Sequence, residues 1–207
     1  MKKPFIKPNI KSWVLMETGG KLLTAFGGIG LLFTLDLALG AAPSPFPEKI
    51  TAEGKELILN GTGARKATLF AIKVYDAAFY NPTKVKTEEG VTASGFPKRL
   101  VFRYVRDFDL EKTKEAWNYQ FKESSGLPAE SYAEGLKKLV SYQKPIKDGT
   151  THRFDIQKDK VVFLIDDVSQ GEILGENFQK ALLNIFFSKN PPTKDLKKGL
   201  LGEKGNS

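Results

Sequence analysis

LNGTGARKATLFAIKVYDAAFY, residues 59–80, decides how the rest of the chain is read. Around it, KELILNG reads as a strand ending at Asn60 and Gly61, and ATLFAIKVYDAAFYN as a long second strand rich in β-branched and aromatic residues. A tight turn at Gly61 and Gly63 is expected to join them.

Working outward, RLVFRYVRD sets Leu100, Phe102 and Tyr104 against Val101, Arg103 and Val105, the alternation of a strand with one covered face. THRFDIQ and KVVFLIDD, parted by Lys158 and Asp159, predict a hairpin. The unbroken apolar run Val161 to Ile165 predicts a central strand covered on both faces.

Helical spacing occurs three times: Leu110, Thr113, Trp117 and Phe121; Tyr132, Leu136, Leu139 and Val140; Phe178, Ala181, Leu182 and Ile185. Asp109 can cap the first of these, Pro128 suits a first helical turn, and the last should stop before Pro191 and Pro192. Strands, two helices, strands and a helix do not alternate as a doubly wound sheet does. The fold class is therefore α+β, an antiparallel sheet with helices on one side.

The ends read differently. Lys2, Lys3, Lys7 and Lys11 precede the apolar stretch Leu22 to Leu39 and the small residues Gly40, Ala41 and Ala42, the order of a secretory signal. Glu17 and Asp36 interrupt that order and leave an N-terminal membrane anchor as the competitor. Residues 1–42 are thus read as signal peptide or anchor, 43–49 as a proline-rich linker, 50–202 as the folded domain and 203–207 as a tail. The expected location is the periplasm or another exported compartment. Removing residues 1–42 takes five lysines and two acids away, lowering the formal charge from +8 to +5. The remaining lysines are scattered, with no basic helix to gather nucleic acid.

No cysteine is present, which excludes disulfides, thiolate catalysis and cysteine-ligated metal. With His152 the single histidine, paired-histidine zinc sites are excluded too, and the alternating Thr151, Arg153 and Asp155 around it predict an exposed, structural strand position.

Residues 59–80 and GENFQKALLNIFFSKNPPTKDLKKGLLG at 175–202 together resemble the chalcone-isomerase-like family, in a bacterial, non-catalytic form. The matching features are Gly61, Gly63, Arg65 and the pair Val74-Tyr75, then the helix and its KKGLLG tail. The resemblance implies an open-faced β-sandwich, a large antiparallel sheet covered by a layer of helices, with a ligand cleft between them. It matches Arg65 to the arginine of the plant enzymes' site. Their strand threonine is replaced by Phe70, their tyrosine falls near Glu111, their asparagine at Asn118, and no threonine stands among Val168, Ser169 and Gln170.

A guanidinium can fix a carboxylate or phenolate through two parallel hydrogen bonds, but acid–base catalysis needs several groups acting together. Arg65 without its partners points to binding, and no catalytic residue or metal site is expected. The expected ligand is a small amphiphile such as a fatty acid. Arg65 serves as anchor, Phe70, Tyr75, Phe102 and Tyr104 as the apolar wall, and Asn118 as a further contact; Trp117 and Tyr119 are amphipathic rings of the same kind. The rivals are an isomerase or lyase acting on a phenolic ketone, and an envelope interaction protein with a vestigial cleft whose Lys194, Lys197 and Lys198 touch anionic lipid. No cofactor is expected. The alternative is haem, whose axial ligand would be His152 or a tyrosine.

Overall fold

The computed structural model describes residues 45–67 and 72–203. Seven strands, β1 (Lys49–Ala52), β2 (Lys55–Ala67), β3 (Ile72–Asn81), β4 (Lys98–Tyr104), β5 (Thr151–Ile156), β6 (Lys160–Ile165) and β7 (Val168–Leu174), form one sheet in chain order. All neighbours pair antiparallel. Five helices accompany it: α1 (Glu88–Ala93), α2 (Leu110–Ser124), α3 (Ala133–Ser141), α4 (Glu176–Phe187) and α5 (Lys194–Leu200). The α+β class and the antiparallel sheet with a helical layer agree with the sequence reading.

Local chemistry explains several boundaries. Asp109 accepts from the Lys112 amide at 2.8 Å, capping α2 as its sequence predicts. Asp166 and Asp167 both occupy the left-handed region at φ 48° and 63°, which the two-residue turn between β6 and β7 requires. Pro128 does not open a helix. It precedes a 3₁₀ turn at Ala129–Ser131, and α3 starts only at Ala133.

One cluster of apolar side chains fills the space between sheet and helices. Phe121 of α2 stacks on Phe178 of α4 at 5.4 Å, Trp117 meets Phe154 at 5.4 Å, and Phe186 of α4 lies 5.0 Å from Phe102. A smaller cluster, Phe46, Ala52, Leu57, Leu59, Ala78 and Tyr80, is separate from it. Because Phe46 is buried there and β1 begins at Lys49, the expected linker 43–49 ends inside the fold.

The expected turn at Gly61 and Gly63 is not there: β2 continues through both glycines to Ala67, which pairs with Ile72 at the start of β3. The glycines serve another purpose, because α5 lies directly on β2. A Cβ on Gly61 would stand 2.1 Å from the Gly199 carbonyl oxygen, and one on Gly63 would stand 2.9 Å from that of Leu196. Reciprocally, a Cβ on Gly199 would meet the Thr62 carbonyl at 2.3 Å. Only hydrogen fits between these backbones.

Asn60, at a bulge in β2, fastens the same junction. Its side-chain amide donates to the Leu200 carbonyl at 2.8 Å and to the Val85 carbonyl at 3.0 Å, while its oxygen accepts from the Val85 amide at 2.7 Å. GTGAR and KKGLLG, far apart in sequence, are thus two halves of one contact.

Two further expectations are corrected. β6 is the sixth of seven strands rather than central; Val161 and Phe163 face the main core, whereas Val162 stays half-exposed. His152 is fully buried, because β5 alternates and His152 shares its side with Phe154 and Ile156.

Candidate functional site

Strand register sets the site. Arg65 of β2 pairs with Tyr75 of β3, and Tyr75 with Tyr104 of β4, so the three side chains form a row across the helix-covered face. One step along, Gly63, Ala77, Phe102 and His152 make the next row. The rings pack edge to face: Tyr75 with Phe102 at 5.2 Å, Tyr75 with Tyr104 at 5.5 Å and Tyr104 with His152 at 4.9 Å.

The electrostatics favour donors. Burial pushes the Tyr75 phenol up to about 12, with the Arg65 charge pulling the other way. Burial and then the neighbouring Tyr75 raise Tyr104 further still, again opposed by Arg65. Both phenols therefore keep their protons at any ordinary pH. Burial drives His152 down to about 3, so it is neutral, and its Nδ1 lies 3.4 Å from the Tyr104 hydroxyl. Arg65 itself is half-buried and, among the described residues, pairs with no acidic side chain.

The structure brings together four of the residues named from sequence: Arg65, Tyr75, Phe102 and Tyr104. Phe70 lies outside the described residues. Asn118 is not part of this group. It is exposed on α2 and lines an open groove of about 450 Å³ with Tyr132, Leu136 and Val140 of the α3 region. Trp117 is core, and Tyr119 is 41% exposed. Glu111 is exposed beside Lys114, and Val168, Ser169 and Gln170 lie on the edge strand β7.

Sequence reasoning missed His152 as a member of the group. The signal was its parity with Phe154 and Ile156, which outweighs the polarity of its immediate neighbours.

Chemically, the row offers a charged fork and phenol donors beside an apolar layer, and among the described residues no acidic side chain pairs with Arg65. That suits holding an anion better than moving a proton.

Comparison with known proteins agrees with this architecture. No curated protein matches the chain. Among solved structures, a fatty-acid binding protein of Arabidopsis thaliana superposes with a TM-score of 0.62 at 14% identity, covering 75% of this chain and 90% of that one. At that identity the likeness speaks for the fold. The family model described as chalcone isomerase-like matches residues 40–202, nearly the whole of the described domain, and the chain belongs to the chalcone isomerase-like family.

Proposed function

We propose that this protein binds the acid end of a small amphiphile, such as a fatty acid, without chemically converting it. The observation that carries the reading is the row Arg65, Tyr75, Tyr104: a guanidinium with no acidic partner among the described residues, next to two phenols that remain protonated. A carboxylate supplies the charge Arg65 lacks, and the phenols can add charge-assisted hydrogen bonds. The likeness to the Arabidopsis fatty-acid binding protein supports the same ligand class.

The acyl chain would lie along Phe102 and its neighbours. That layer is closed, with Phe102 1% and Phe154 0% exposed, so entry requires side chains to move apart and costs part of the gross binding energy. Export of the domain belongs to the same reading, supported by the basic, apolar and small-residue order of residues 1–42 and by the compact unit that begins at Phe46. Membrane proximity would then bring it close to lipid-derived ligands.

Native mass spectrometry of protein purified from the exported fraction tests both parts. The expected result is a population carrying a co-purified fatty acid. Uncleaved protein confined to the cytoplasm would overturn the export, and failure to take up added dodecanoate would overturn the ligand class.

A further inference from the structure

The anion row does not by itself account for His152. Its imidazole is fully buried, its Nδ1 stands 3.4 Å from the Tyr104 hydroxyl, and its Nε2 has no hydrogen-bond partner among the described residues. The surroundings are rings: Tyr104 on one side at 4.9 Å and Phe163 on the other at 5.2 Å, both edge-on. The charge of Asp166, on the turn after β6, acts on it in opposition to burial.

A neutral imidazole carries one proton, and the two places for it have different consequences. With the proton on Nε2, Nδ1 accepts from Tyr104, and an N–H donor is left unpaired among hydrocarbon at a cost of about 1–3 kcal/mol. With the proton on Nδ1, the imidazole donates to the Tyr104 oxygen, Nε2 keeps only a bare lone pair, and the Tyr104 hydroxyl proton needs an acceptor of its own. Without an anion the two arrangements leave one donor unpaired each. With an anion beside Arg65, the second arrangement pairs both donors, whereas the first leaves Nε2–H unpaired whichever acceptor Tyr104 takes.

We infer that His152 takes the Nδ1–H tautomer when an anion is held by Arg65 and is a positioning residue, donating to Tyr104 so that the Tyr104 hydroxyl proton turns to the anion. The inference rests on the anion-binding reading above and adds to it the reason a histidine sits behind the row. Tyr104 becomes a committed donor, and beside a cation its natural acceptor is the ligand.

Since the chain has one histidine, isotope-labelled histidine gives a single imidazole whose protonated nitrogen is read directly by magnetic resonance in the intact protein. The expected proton is on Nδ1 in the dodecanoate complex. A proton on Nε2 in that complex overturns the inference.

Dodecanoate titration supplies the second arm. Tyr104→Phe should weaken binding at least tenfold, the usual scale for a hydrogen bond to a charged group; His152→Phe should weaken it comparably, and the double variant no more than either alone. Additive losses would overturn the positioning role. Absence of dodecanoate binding in the parent protein, whatever the tautomer, would overturn the anion-site reading itself and with it the role given to Tyr104.

Discussion

The two halves of β2 do opposite work within one motif. From Asn60 to Gly63 the strand is a dry seat, with side chains deleted so that α5 can rest backbone on backbone. At Arg65, two residues on and on the same face, the strand carries its longest polar side chain beside two phenols. A single short motif therefore combines a structural half that tolerates no added atom with a half to which the proposed reading gives the ligand's charge. The two halves should separate cleanly under mutation.

The largest expected effect is at the seat. Gly61→Ala or Gly199→Ala forces a carbon into 2.1–2.3 Å contact with a backbone carbonyl, so α5 must lift or the strand must shift. Overpacking of this severity should cost 3 kcal/mol or more, read as loss of the cooperative thermal transition or a large fall in its midpoint. A variant as stable as the parent would show that the junction is not tight.

At the other half, Arg65→Ala should weaken dodecanoate binding by about 1.5–3 kcal/mol in calorimetry while leaving the thermal midpoint nearly unchanged. Arg65→Lys should recover part of the affinity, keeping the charge and losing the planar fork. Equal affinities in all three proteins would remove Arg65 from the site.

The buried histidine sharpens the contrast through pH. Its folded value of about 3 lies below its ordinary 6.5, so the unfolded chain binds the proton more readily between those limits. The neutral imidazole's contribution is complete above about 6.5 and is lost progressively as pH falls toward 3, to a total of a few kcal/mol. His152→Phe should flatten that part of the stability curve, and an unchanged slope would mean the ring is not held neutral.

The smallest effect is expected far from either half. Lys98 is buried at the start of β4, donating to the Gly95 carbonyl with its ammonium 4.2 Å from the Phe96 ring, and burial pulls it down to about 8. Lys98→Met should gain about 1 kcal/mol at neutral pH by removing a poorly compensated charge. A loss instead would show that the carbonyl and ring contacts outweigh the burial cost.

What the sequence disclosed follows the range of the forces involved. Asp109 caps α2 through an amide three residues away, and β4 and β5 alternate within themselves, so these were legible. Gly61 and Gly63 were misread because glycine marks both turns and close approaches, and the surface approaching them lies beyond residue 190. β1 has only four residues, β7 is a largely polar edge, and α1 and α5 are each under eight residues, too short for a periodic signal.

The site was legible in its parts rather than as an arrangement. Arg65 and the tyrosines were named, but only the register between β2, β3 and β4 places them in one row. Asn118, named as a further contact, lies exposed on α2 and lines a different groove.

The strand order carries a last consequence, for the time course of folding. Every strand pairs with its neighbour in sequence, so pairing can proceed as the chain lengthens, although β4 and β5 must close over the long segment that carries α2 and α3. The seat on β2 is the exception, since it stays uncovered until residues 194–202 arrive. A chain emerging from its N-terminus thus holds Gly61 and Gly63 bare until α5 has been made. Truncation before Lys194 should leave a species with most of its sheet but an exposed glycine groove, the kind of intermediate that chaperones and proteases recognise.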